Sequence, residues 1–191
     1  MDEAKNRTLR TDERRRLIIE VAAALFLEKG FHQTSIRDIA ERAGISLGNL
    51  YNHFSGKPEL IAAIATLEAE ENDALIGLLT QGEGEAPVMA FAKECFSLYC
   101  RPENGVLAAE ILSESFRNPA VREGFVANRQ RLASALRDAI AKASPSAAAG
   151  PERADMIIDL VEGAAIRQLL GGPGTIDETA LMAAIRRLAF D

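Results

Sequence analysis

The sequence predicts an all-α chain, and three observations carry that expectation. Apolar residues recur in pairs four apart, Leu17/Ile18, Val21/Ala22 and Leu25/Phe26, which is the stripe of an amphipathic helix rather than the alternation of a strand. Trp is absent, aromatic residues make up 5% of the 191 positions, and the apolar share is mostly Ala, Leu and Ile, a balance that favours helices over pleated sheet. The patterned segments are also separated by Gly- and Pro-containing breakers, with no competing strand signal between them. The resulting plan is a three-helix front domain, residues 1–60, and a larger helical body, residues 61–191, with about nine helices in all.

The first helix is expected over 11–29, with Thr11 as its cap, Asp12 and Glu13 in the first turn where the helix dipole favours anions, and Gly30 as its stop. A short helix follows. Ser35 and Asp38 stand three apart as a capping box with Asp in place of Glu, and Ile36, Ile39, Ala40 and Ala43 form its buried face. Gly44 ends it with an expected positive φ. Only Ile45 and Ser46 then precede a helix at 47–53, which Ser46 caps. A long helix opens at Lys57 with Pro58 in its first turn, and Leu60, Ile61, Ile64, Leu67, Leu75 and Leu78 carry its apolar pattern towards Gln81. Breakers at 82–87, 101–105, 117–120, 144–151 and 171–174 divide the body into helices of roughly 87–100, 106–116, 119–142, 152–170 and 177–189.

Composition excludes several function classes. No stretch approaches the roughly 20 consecutive apolar residues of a membrane span, and the polar start MDEAKNRTLRTDERRR lacks the apolar run of a secretory signal, so the cytoplasm is the expected compartment and no membrane partner is expected. Cys95 and Cys100 stand about 140° apart on one helix, cannot pair without unwinding it, and are expected to be reduced, packed thiols. With His32 and His53 the only histidines, no Cys/His cluster has metal-ligand spacing, and neither a metal nor another cofactor is expected. GGPG at 171–174 is not followed by the Lys-Ser/Thr of a phosphate-binding loop, and GxSxG, HExxH and GxGxxG are absent, which argues against an enzyme.

The charge is unevenly divided. The chain carries a net charge of -6, yet residues 1–60 carry +1 and the remainder -7, so contact with a polyanion is expected to come from a local set of donors at the front. Two short helices joined by a tight Gly-containing turn are the outline of a helix-turn-helix, whose second helix lies in the major groove of DNA. Gly48 lets the helix backbone approach the groove, Asn49 has the amide that pairs bidentately with adenine, and Leu47 suits a thymine methyl. Thr34, Ser35, Tyr51, His53 and Lys57 offer hydroxyl, phenol, imidazole and ammonium groups for phosphate, and Arg37 is placed for a phosphate or a groove edge. Phe54 is read as core. The same outline occurs in helical proteins that never meet DNA, so spacing alone leaves the matter open.

The segment GFHQTSIRDIAERAGISLGNLYNHFSGKPEL, residues 30–60, resembles the DNA-binding signature of the TetR family of bacterial one-component transcriptional regulators. The resemblance lies in the Gly-aromatic start, the Thr-Ser cap, Ile-Ala in the first helix, Ala-Gly-Ile-Ser in the turn, Leu-Tyr-Asn-His-Phe in the second helix, and the Lys and Leu that follow. It implies phosphate contacts for Tyr51, His53, Lys57 and the Thr34/Ser35 cap. Leu47 departs from the polar or basic residue often found at its position, which leaves the operator sequence open. The resemblance further implies a repressor that binds double-stranded operator DNA as a homodimer and is released by a small-molecule effector.

The body resembles the family only in plan. Phe91, Cys95, Tyr99, Leu107, Glu110, Ile111, Phe116, Phe125 and Arg129 belong to helices expected to surround the effector, with apolar walls and a few polar anchors. Met156, Ile157, Leu160, Gly163, Ala164, Leu181, Ile185 and Leu188 give the last two helices broad apolar faces, which suit a four-helix dimer interface and equally an intramolecular core. Two other readings stay open on the residues alone: a helical small-molecule-binding or interaction protein whose DNA-binding module is inactive, and an enzyme with a carboxylate-only site.

Overall fold

The computed structural model describes residues 2–144, 150 and 152–191, with side chains for all of these except 2–10 and 66–71. Most of the break expected over 144–151, and the side chain of Leu67, therefore lie outside the described residues. Among the described residues the regular structure is helical: α1 (Asp2–Lys29), α2 (Ile36–Arg42), α3 (Leu47–Tyr51), α4 (Lys57–Leu79), α5 (Ala86–Tyr99), α6 (Pro102–Ser115), α7 (Pro119–Ala143), α8 (Glu152–Gly171) and α9 (Glu178–Phe190). No helix among them is long and apolar enough to cross a membrane. The helix order follows the sequence expectation, with one difference in the body, where α6 begins at Pro102 and takes up most of the break expected over 101–105 because proline suits a helix's first turn, and two at the front. Helix α1 begins at Asp2, so Thr11 lies within it rather than capping it; residues 2–29 contain no Gly or Pro, and nothing stops the helix there. Helix α3 ends at Tyr51 rather than His53, where the chain tightens as the His53 N–H bonds the Leu50 carbonyl at 2.9 Å.

The helices form two compact units. The first comprises residues 1–68 and 106–125. Ile18, Ala22, Leu25 and Phe26 of α1, Ile39 and Ala40 of α2, Leu50 of α3, Phe54, and Leu60, Ile61 and Ile64 of α4 form one buried cluster. Ile111 of α6 and Val121 of α7 complete it. This unit is thus larger than residues 1–60, because a segment distant in sequence returns to seal the same core. Two short helices cannot stand alone, and here each is pinned. Ser35 caps α2 by accepting the Asp38 N–H at 3.1 Å, and the Asp38 carboxylate accepts the Ser35 N–H at 2.8 Å and its hydroxyl at 2.6 Å. At its other end α2 is tied to α1 by a fork of Arg42 on Glu28, at 2.5 and 2.7 Å.

The second unit comprises residues 69–105 and 126–191. Its core runs between Val88, Phe91, Ala92 and Cys95 of α5, Leu132, Leu136 and Ile140 of α7, Ile157, Ile158, Val161 and Ala165 of α8, and Leu181, Ile185 and Ala189 of α9. Asp177 caps α9 by accepting the Ala180 N–H at 3.1 Å. Cys95 is buried and Cys100 half-buried, and both are free thiols. Burial, with the nearby charges of Glu162 and Glu94, pushes the Cys95 thiol up to about 12, which keeps it protonated and inert.

The capping box gives α2 a dependence on acidity. The Ser35 hydroxyl and backbone N–H hold the Asp38 carboxyl below its ordinary value. A carboxylate depressed in the folded state stabilises above its unfolded pKa, about 4, and that contribution disappears as pH falls through the folded value. Asp38→Asn should therefore lower the thermal midpoint at about pH 7 and shrink the fall in midpoint between about pH 6 and pH 3. Circular dichroism melts across that range check both, and an unchanged acid profile would remove Asp38 from the account.

Candidate nucleic-acid interface

The turn between α2 and α3 is built by Gly44, whose φ of 65° closes α2 so that the Gly44 N–H reaches the Glu41 carbonyl at 3.1 Å and the Ile45 N–H the Ala40 carbonyl at 3.0 Å. Ser46 then starts α3 by accepting the Asn49 N–H at 3.1 Å. Within α3, Leu50 is wholly buried and fixes the inner side, while Gly48 and Tyr51 are exposed and Leu47 and Asn49 are half-buried. Leu47 rests against the unit's core, leaving only part of its side chain for a base methyl. A Cβ at Gly48 would find no heavy atom within 4 Å, so this side of α3 faces open space. The exposed part presents backbone, an amide and a phenol, the groups that read and grip a groove.

The expected phosphate donors divide. Tyr51 is 52% exposed, Arg37 is exposed on α2, and His53 is half-buried just beyond α3. Thr34 is 1% exposed, and its hydroxyl lies 2.9 Å from the Gly30 carbonyl and 3.2 Å from that of Leu25. The Ser35 hydroxyl proton goes to Asp38. Both hydroxyls expected to meet phosphate are thus taken up within the fold, because the end of α1 and the start of α2 need them as partners. Lys57 is also held: its ammonium donates to the Phe31 carbonyl at 2.6 Å and the His32 carbonyl at 3.4 Å, and lies 4.5 Å from the centre of the Phe31 ring. Burial lowers the affinity of that ammonium for its proton, and Glu114 and Glu110 of α6 partly offset the effect. A lysine ammonium has three donors, so these two carbonyls leave one.

A residue that sequence reasoning missed joins the same region. Arg15 of α1 donates to the His53 carbonyl at 2.8 Å, lies 4.2 Å from the centre of the buried Phe54 ring, and stands 3.8 Å from the Glu59 carboxylate. Glu59 in turn accepts the Ser55 N–H at 2.8 Å and its hydroxyl at 2.9 Å, bonds that hold its carboxyl below the ordinary range. Nothing local in the sequence marks Arg15, since its carbonyl partner lies 38 residues away.

The residues expected around an effector fall into both units. In the second unit Phe91, Cys95 and Tyr99, with Leu132, Ile157, Ile158 and Val161, line an apolar crevice packed too closely to admit a water molecule. Arg129 of the same unit is paired with Glu162 at 2.6 Å and with Asp159. Leu107, Glu110, Ile111, Phe116 and Phe125 instead belong to the first unit. There Ile111 is core, Leu107 and Phe125 pack against it, and Phe116 is 80% exposed. Of the expected dimer residues, Ile157, Ala164, Leu181 and Ile185 are buried within their own unit. Met156, Leu160 and Gly163 are exposed and Leu188 half-buried. Ile166, 57% exposed, and Leu170, 84% exposed, extend the apolar surface of α8 beyond the residues the sequence picked out. Among the described residues no group of three His, Cys, Asp or Glu is placed to hold a metal.

Residues 18–64 match the family model of bacterial regulatory proteins of the tetR family. Over 50 residues the chain is 48% identical to the HTH-type transcriptional repressor KstR2 of Mycobacterium tuberculosis, a match covering 26% of this chain and 25% of that protein. It thus spans about a quarter of the length of this relative. Over 109 residues it is 30% identical to the HTH-type transcriptional regulator UidR of Escherichia coli, covering 54% of this chain and 53% of the relative. The fold is similar to the crystal structure of a TetR-family transcriptional regulator from Rhodococcus sp., with a TM-score of 0.75 and 26% identity over 93% of this chain and 99% of that one. Residues 18–64, the module that carries α2 and α3, match the tetR family model, and the helical plan around that module is similar over nearly its whole length to that of the Rhodococcus regulator.

Proposed function

We propose that the chain is a sequence-specific DNA-binding transcriptional regulator that acts as a cytoplasmic homodimer, a repressor released from its operator by a small-molecule effector. The observation that carries the reading is the open side of α3, where exposed Gly48 and Tyr51 and half-buried Asn49 stand over a wholly buried Leu50. A helix held from behind and bare in front is what direct readout of base edges requires. The repressor sense is supported by the KstR2 relative, a transcriptional repressor 48% identical to this chain over 50 residues. The dimer is supported by α8, where Met156, Leu160 and Gly163 form an exposed apolar face continued by Ile166 and Leu170.

An effector is supported by the apolar crevice at Phe91, Cys95 and Tyr99, walls suited to a small organic molecule once they part. Helices α4, α6 and α7 each carry residues of both units, so a ligand that shifts them in the second unit acts on elements continuous with the first. In a dimer the two copies of α3 must enter major grooves near one turn of DNA apart, roughly 34 to 36 Å. Coupling of about 1 to 3 kcal/mol between effector and DNA corresponds to a change of about 5 to 150-fold in operator affinity.

The test is enrichment of duplexes from a random pool, followed by fluorescence anisotropy of the enriched duplex against scrambled DNA across a salt series. A recovered motif bound with discrimination supports the regulator; a pool that enriches no motif removes it. Asn49→Ala should flatten preference at one or two base pairs of that motif, by about 1 to 3 kcal/mol each, leaving the others intact. A uniform loss across all positions would show that Asn49 does not read bases. Leu160→Glu should convert the dimer to monomer in sedimentation velocity and weaken binding to the full motif far more than to a half-site. If the variant sediments as the wild type does, α8 is not the interface.

A further inference from the structure

The geometry points to Arg15 as a positioning residue that sets the angle of α3 and thereby the discrimination between operator and non-operator DNA. This rests on the base-reading role proposed for α3. Helix α3 has five residues, too few to hold a direction by its own hydrogen bonds, and its carbonyl end needs outside partners. Leu50 anchors its middle, and Arg15 is a second fixture beyond its C-terminal end. The guanidinium meets that end on three sides: the His53 carbonyl at 2.8 Å, the Phe54 ring at 4.2 Å and the Glu59 carboxylate at 3.8 Å. These partners belong to the end of the reading segment and the start of α4, while Arg15 itself stands on α1 one turn before the buried Ile18 and Ile19. One side chain therefore joins α1, the segment that leaves α3 and the start of α4, at the pivot about which α3 would tilt.

The distinction between positioning and contact is physical. Hydrogen bonds to base edges need the donor within a few tenths of an ångström and about 10 to 20° of its place, whereas attraction to phosphate falls off slowly and tolerates a tilted helix. A loosened pivot therefore weakens operator binding and leaves binding to arbitrary DNA nearly as it was. Arg15 is 41% exposed, so direct contact with phosphate is the competing role. The two roles respond oppositely to lysine. A lysine keeps the charge that a phosphate needs, but as a point donor it cannot serve a carbonyl, a ring face and a carboxylate together as a planar fork does.

The experiment compares wild type, Arg15→Met and Arg15→Lys. Anisotropy is read on the enriched duplex and on scrambled DNA over a salt series, and amide hydrogen exchange is read on the free protein. Both variants should bind the enriched duplex about tenfold more weakly and scrambled DNA within about twofold of wild type. The salt slope of Arg15→Lys should match wild type. In both variants the amides of residues 50–54 should exchange about tenfold faster while those of α2 keep their protection. Full recovery of operator binding in Arg15→Lys, with a slope reduced by about 0.9 in Arg15→Met, would overturn the inference in favour of a phosphate contact. Equal losses on both DNAs, or unchanged exchange at residues 50–54, would overturn it as well. If the wild type itself fails to discriminate between duplexes, the regulator reading falls, and exchange alone still decides whether Arg15 holds α3.

Discussion

A five-residue helix cannot orient itself, and the first unit is organised around that constraint. One and a half turns supply few internal hydrogen bonds, so the direction of α3 is imposed from outside. Leu50 and Phe54 fasten it to a core made by α1, α2 and α4, to which Ile111 and Val121 return from far along the chain. The polar fixtures follow the same logic. Asp38 with Ser35, Arg42 with Glu28, and Lys57 with the carbonyls of 31 and 32 each immobilise a segment next to α3 rather than α3 itself. The precision required at a few exposed atoms is thus met by rigidity in the elements behind them.

This organisation has an electrostatic side. The chain is net acidic, with -6 overall, and several of its cations are engaged internally: Arg42 on Glu28, Arg129 on Glu162 and Asp159, Arg186 on Glu85. A cation already paired within the fold is less available to phosphate, whose contacts supply the sequence-independent part of DNA binding. A protein with weak general attraction to DNA depends more on correct base contacts, and its useful range is set by the ratio of specific to general affinity.

Much of the fold was legible in the sequence because its signals are local. The capping box at Ser35 and Asp38, the left-handed Gly44, the Ser46 cap and Pro58 at the head of α4 are short-range devices, and each is present. The start of α1 was not legible, since Thr11 has a cap's chemistry in a stretch where nothing ends the helix. Periodicity shows that a face is apolar but not what covers it. Ile157 and Ile185 are wholly buried in their own unit whereas Met156 on the same helix as Ile157 is 52% exposed, and Phe116 is 80% exposed despite its place in an apolar pattern. At the candidate site, residue chemistry alone could not reveal that the Thr34 and Ser35 hydroxyls already have partners inside the fold, nor that Arg15 reaches a carbonyl 38 residues away.

Gly48 stands in a helix where glycine is the weakest choice short of proline, at about 1 kcal/mol less favourable than alanine. Its φ is not left-handed, and a Cβ there would touch nothing. No steric feature of the free protein calls for the missing side chain. The outer surface of α3 is accordingly a place where the residue can change without disturbing the scaffold that aims it. In such a module the preference for one DNA sequence over another is free to drift by substitution, while the core that fixes the helix stays as it is.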